Sequence, residues 1–309
     1  MKLAIVFPGQ GSQKVGMLNS FADNLVVRET FTQAQAALGQ DLWALIDAGP
    51  AEDLNATVNT QPVMLTSAYA MYCAWLAAGG PKGDVLAGHS LGEYTALTAA
   101  GALAFGDAVP LVRFRAQAMQ EAVPAGVGGM AAILGLAPDL VEAACREAAQ
   151  GEVVQPVNYN EPAQIVIAGH KAAVERACVL AKEKGAKRAL LLPVSAPFHS
   201  SLLQPAAERL RDKLGQVNFN TAAIPVIHNC DVQMHATADA IRAALATQAA
   251  SPVRWIEIVQ KMQADGVTHV VEIGPGKVLQ GLVKRIAPEL QALAFSDAAS
   301  LQPTLDALK

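Results

Sequence analysis

The chain has 309 residues, 52% of them apolar, which is enough to bury a sizeable core and to build about two domains. Its 23 basic and 27 acidic residues leave a formal charge of -4, so no global positive field exists to hold nucleic acid or an anionic membrane surface. Cys73, Cys145, Cys178 and Cys230 are widely spaced and form no metal-binding cluster, so they read as reduced core thiols; with no signal-like or membrane-spanning run, the expected address is the cytoplasm.

The first strand is expected over Leu3 to Phe7, and Phe7-Pro8-Gly9-Gln10-Gly11-Ser12-Gln13 follows it. The glycines suggest a dinucleotide loop, but the third glycine of that fingerprint falls on Lys14 and the reading fails. Gln10, between two glycines at a strand end, can instead aim its backbone N–H at a developing oxyanion, the alternative being a plain loop.

A buried strand over Val85 to Gly88 leads into Gly88-His89-Ser90-Leu91-Gly92, with a helix following from Glu93. A serine between two glycines on a strand-to-helix turn reads as an exposed nucleophile, with the Leu91 N–H placed to share the oxyanion; the plain alternative is a helix-initiating serine. The next helix carries Val112, Ala116, Met119 and Val123 at spacings of three and four, and Arg115 lies on that apolar stripe. An inward guanidinium needs a partner: an internal acid, or a substrate carboxylate gripped bidentately. Arg113 points to the polar side.

From about 124 to 194 the order is strand (Met130 to Leu134), helix (Asp139 to Ala148), strand (Val153 to Asn158), strand (Gln164 to Ala168), helix (Ala172 to Lys184) and strand (Arg188 to Pro193). This βαββαβ order is ferredoxin-like. The fold class is therefore α/β, a mostly parallel-sheet hydrolase-like core with an inserted ferredoxin-like subdomain: residues 1–123 and 195–309 form the main domain and 124–194 the insertion. Clefts between lobes commonly hold ligands.

After the insertion, His199 follows Ser195-Ala196-Pro197-Phe198 on a rigid loop just before a helix, where the helix dipole favours a neutral imidazole. It is the best candidate for a general base, with capping or packing as the plain alternative. His89, His170 and His235 read as structural or solvent-facing, the last two in loops. His228 and His269, in apolar strand contexts over Pro225 to His228 and His269 to Ile273, read as core histidines. Gly274-Pro275-Gly276 ends the last expected strand; Lys277, Lys284 and Arg285, with Lys187 and Arg188, are candidates for a local patch facing an acidic partner.

Together, Phe7 to Gln13, Gly88 to Tyr94, Arg115, Ala196-Pro197-Phe198-His199 and Glu272 to Gly276 resemble the malonyl-CoA:acyl carrier protein transacylases nearly end to end, in the form that serves fatty acid biosynthesis. The resemblance implies that Ser90 is the acylated nucleophile, His199 the acid/base and Arg115 the clamp on the malonyl carboxylate, with Gln10 and Leu91 N–H groups as the oxyanion hole. It also implies that the Gln248 carbonyl orients the histidine in place of an acid. Phe198, where some relatives have a small residue, implies malonyl over methylmalonyl. Malonyl-CoA and acyl carrier protein are then substrates of a ping-pong acyl transfer without metal or redox cofactor, nucleic acid or membrane partner, by a monomer. The rivals are a malonyl transferase of a malonate decarboxylase or trans-acting polyketide synthase, a thioesterase of the α/β-hydrolase type, and a non-catalytic carrier-binding module.

Overall fold

The computed structural model describes residues 1–194 and 196–309. Among the described residues nine strands form two sheets: β1 (Leu3–Phe7), β2 (Val85–Gly88), β3 (Gly128–Leu134), β4 (Val154–Glu161), β5 (Gln164–His170), β6 (Arg188–Leu191), β7 (Val226–Ile227), β8 (His269–Ile273) and β9 (Gln291–Phe295). The larger sheet has the order β7-β2-β1-β8-β9 with every pair parallel. Parallel strands require crossover helices on both faces, so the central strands read as continuous apolar runs rather than alternating ones.

Leu-Ala-Ile-Val-Phe of β1 is buried along its whole length. Its side chains alternate between two cores: Leu3, Ile5 and Phe7 join one with the Thr57–Ala77 helix, while Ala4 and Val6 join another with the Trp255–Ala264 helix. The β2 residues divide likewise, Leu86 facing the first core and Val85 and Ala87 the second.

The smaller sheet, β4-β5-β3-β6, is antiparallel and spans residues 128 to 191, in the strand order of a ferredoxin-like unit. One face, with Ala131 and Ile133, packs on the Pro138–Ala149 and Lys171–Glu183 helices, burying Cys145 and Cys178. The other face, with Met130, Val166 and Ala168, turns toward Leu192, Val194 and Phe198. Backbone bonds lace the sheet to the main body: Val253 N–H donates to the Val157 carbonyl at 2.8 Å, and Tyr159 N–H to the Val253 carbonyl at 3.0 Å. All four cysteines are free, Cys73 and Cys230 only partly buried. No helix of the described residues is long and apolar enough to cross a membrane.

Several elements differ locally from the sequence expectation. β9 adds a strand beyond the expected ones: Gln291-Ala-Leu-Ala-Phe295 carries two helix-favouring alanines, and its pairing with β8 overrides that preference. β7 is two residues long rather than four. β6 stops at Leu191, since Pro193 has no N–H to offer a ladder. His170 ends β5 instead of lying in a loop, and His269 is only partly buried at the start of β8 rather than in the core. Ser195, where the main domain was expected to resume, lies outside the described residues.

Candidate active site

Because β1, β2, β7 and β8 run parallel, their C-terminal ends share one edge of the sheet, and the loops leaving them converge there. β2 turns at once into the Gly92–Ala99 helix through Ser90, which adopts φ 52, a left-handed conformation costly for a residue with a β-carbon. The turn is closed by glycines. A β-carbon on Gly88 would lie 1.9 Å from the carbonyl carbon of Gly92, and one on Gly92 would lie 2.1 Å from the Phe7 carbonyl oxygen. The glycine bracket is therefore a steric requirement of packing the elbow on β1.

His199, 3% exposed, reaches the elbow from a loop where it too has positive φ, 65. Its Nδ1–H donates to the Gln248 carbonyl at 2.9 Å. A carbonyl only accepts, so the proton sits on Nδ1 and Nε2 is left with its lone pair. That lone pair accepts from the Ser90 hydroxyl at 2.7 Å. Burial and the neighbouring Arg115 charge push the imidazole pKa down to about 3, against the pull of the Gln248 carbonyl. The neutral imidazole expected from the helix dipole is thus produced by other causes, and the ring is uncharged throughout the physiological range.

Arg115, 1% exposed, lies on the buried face of the Phe105–Glu121 helix. Its Nη1 donates to Gln61 Oε1 at 2.8 Å, and its Nη2 to Gln248 Oε1 at 2.9 Å and to Ser90 Oγ at 3.2 Å. Every one of these partners is neutral, so the guanidinium is oriented without an acid in contact to neutralise it. Burial disfavours its charge and lowers its pKa, while Tyr94 and Glu93 raise it. Arg113, on the other side of the helix, donates to Gln40 and Asn59.

Ser90, His199 and Arg115 line a cleft of about 960 Å³. Gln10, Gly11, His89 and Met119 line it from the main body, Met130, Asn158, Leu192 and Val194 from the smaller sheet and its exit strand, and Phe198 beside His199. Among the described residues the backbone N–H groups of Gln10 and Leu91 are engaged in no hydrogen bond, and Leu91 directly follows the nucleophile candidate. Gln10 also directs its amide toward Thr57 Oγ1 at 3.5 Å.

The other histidines and basic residues marked in the sequence find their own partners. His89, expected to be structural or exposed, lines the cleft and meets Asn160 Oδ1 through Nε2 at 2.8 Å; burial lowers its pKa. His228 is buried as expected, with Nδ1 on Glu93 at 2.7 Å. His235 pairs with Asp231, and Arg285 pairs with Glu161 while staying half exposed. Gln61, Asn229 and Glu93 also join this network, and the local sequence assigns none of them a role. Asn229 had one available signal, its place after a strand that ends on the site edge.

Residues 4–302 match the acyl transferase domain family. The malonyl CoA-acyl carrier protein transacylase of Escherichia coli (strain K12) is 53% identical over 306 residues, covering 99% of this chain and 99% of that protein. The corresponding Bacillus subtilis (strain 168) protein is 46% identical over 310 residues, covering 100% and 98%. Among solved structures, an acyl-carrier-protein S-malonyltransferase from Burkholderia pseudomallei superposes with a TM-score of 0.98 at 63% identity, over 99% of this chain and 100% of that one. A malonyl-transacylase solved in complex with a type II polyketide synthase acyl-carrier protein gives 0.98 at 49% identity, again over 99% and 100%.

Proposed function

The chain belongs to the acyl transferase domain family, and from that premise we propose that it moves a malonyl group from coenzyme A to the phosphopantetheine thiol of acyl carrier protein, in fatty acid synthesis. The proposal extends to a ping-pong cycle through an ester on Ser90, carried out in the cytoplasm by a monomer. The observation that carries it is the continuous line of hydrogen bonds from the Gln248 carbonyl through both nitrogens of His199 to the Ser90 hydroxyl.

In the first half-reaction, Nε2 of His199 takes the Ser90 proton as Oγ attacks the thioester carbonyl. The oxygen of the tetrahedral adduct is received by the N–H groups of Gln10 and Leu91. Collapse breaks the carbon–sulfur bond, and the imidazolium returns its proton to the departing coenzyme A thiolate. The malonyl carboxylate meanwhile takes the Arg115 N–H now directed at Ser90 Oγ. In the second half-reaction the carrier thiol gives its proton to His199 and attacks the ester; the imidazolium then protonates the leaving Ser90 oxygen. No metal or redox group takes part in either proposed step. Phe198, on the cleft wall beside the base, crowds an α-methyl substituent, a preference for malonyl over methylmalonyl worth about 1–3 kcal/mol.

Intact-mass measurement after mixing with malonyl-CoA tests the reading. One malonyl adduct is expected, absent in Ser90→Ala and discharged on adding holo acyl carrier protein with malonyl carrier protein as product. A protein that gains no adduct is a scaffold, and one whose adduct is released as free malonate regardless of carrier is a hydrolase.

A further inference from the structure

No step of the proposed cycle uses Glu93, yet its carboxylate is fully buried three residues after Ser90. Three donors converge on it. Nδ1 of His228 meets Oε1 at 2.7 Å, while the Asn229 backbone N–H and Gln248 Nε2 meet Oε2 at 2.8 and 2.9 Å. Burial works against a charge on His228, but the Glu93 carboxylate prevails and raises its pKa.

The groups held by Glu93 hold the reacting ones. Asn229 Oδ1 accepts from the Ser90 N–H at 2.7 Å, and its Nδ2 donates to the Gly88 carbonyl at 2.7 Å. Gln248 Nε2 spends its second hydrogen on the Ser90 carbonyl at 2.9 Å. Both peptide groups of the strained nucleophile are thereby pinned by side-chain amides from two remote segments, and both segments are anchored on one carboxylate.

Glu93 also decides which way the Gln248 amide faces. With Nε2 drawn to the carboxylate, Oε1 is turned to Arg115, where a reversed amide would set an NH2 group against a guanidinium. The same residue's backbone carbonyl orients His199. Nucleophile, base and clamp therefore share a single buried anion one residue removed from each.

We propose that Glu93 is a positioning residue of the reaction, acting through Asn229 and Gln248 to hold the Ser90 backbone in its left-handed conformation and to present the Gln248 oxygens to Arg115 and His199. This rests on Ser90 and His199 being nucleophile and base. A glutamine at 93 offers one acceptor oxygen to donors that now share two, and an alanine offers none.

The test compares Glu93→Gln and Glu93→Ala with the parent in the rate of Ser90 sulfonylation by phenylmethylsulfonyl fluoride, an uncharged reagent that needs no carboxylate clamp, and in single-turnover malonylation. Circular dichroism and melting give the folded fraction. Per folded molecule, both rates are expected to fall about 10-fold in Glu93→Gln and about 100-fold in Glu93→Ala, because small misplacements of reacting groups cost factors of this size. Should Glu93→Ala fail to fold, Glu93→Gln carries the comparison. Lower melting temperatures with parental rates per folded molecule would mean a purely structural glutamate and overturn the proposal. A parent that neither reagent labels at Ser90 overturns the reading of Ser90 itself.

Discussion

Arg115 brings a full positive charge into a buried place where its hydrogen-bonding partners, Gln61, Gln248 and Ser90, are all neutral. An ion so placed is costly even with the Glu93 carboxylate nearby, and a carboxylate brought against it would be held more strongly than an uncharged group. Replacing it should therefore act on selectivity more than on serine chemistry. Arg115→Ala is expected to slow Ser90 acylation by malonyl-CoA about 100-fold while leaving acetyl-CoA within a few-fold, as loss of a charge-assisted pair predicts. An unchanged ratio of the two rates in rapid-quench experiments would remove the clamp from the mechanism.

At the level of single elements, the join between β8 and the Val278–Ile286 helix stores a buried acid. Glu272, at the end of the strand, accepts from the Gln280 N–H at 2.8 Å, but its other oxygen has no partner among the described residues. Burial pushes its pKa up to about 7, against the downward pull of the helix N–H groups of Gln280, Leu279 and Val278. The unfolded chain releases this proton near 4.5 and the folded chain only near 7, so between those values the folded state binds more protons and stability falls as pH rises. Relative to Glu272→Gln, the parent should lose on the order of 3 kcal/mol between pH 5 and pH 8 and match it at the acid end. Urea denaturation at the two pH values measures the difference; parallel stability curves for the two proteins would show that Glu272 ionises normally.

The whole molecule makes its cleft by bringing two sheets together, and the contact is tight beside His199. Gly128, the first residue of β3, faces the ring of Pro197, two residues before His199; a β-carbon there would lie 2.4 Å from Pro197 Cδ. Gly128→Ala must therefore move the loop that carries the imidazole, although the substitution is made in the other sheet. Ser90 acylation is expected to drop about 10-fold or more, with the melting temperature changed far less, since a displacement near 1 Å disrupts proton transfer before it disrupts packing. Acylation at the parental rate would show that the smaller sheet does not set the position of His199.

Local sequence alone carried the elements with strong periodicity or punctuation: β1, the elbow at Gly88 to Gly92, the inward position of Arg115 and the βαββαβ order of the smaller sheet. These depend on neighbours within a few residues, where steric and hydrophobic patterns are written directly into the chain. Ser90 and His199 were legible as candidates for the same reason, but that their side chains meet was not, because the bond spans 109 residues. That Gln61 meets Arg115, Asn229 meets Ser90 and Glu93 meets Gln248 is not written locally, since these bonds span 54, 139 and 155 residues. Only the tertiary structure decided them, because a polar side chain acquires its partner from whichever strand end or helix face the packed core delivers to it. The neutrality of His199 was settled the same way, by burial and a guanidinium far away in sequence.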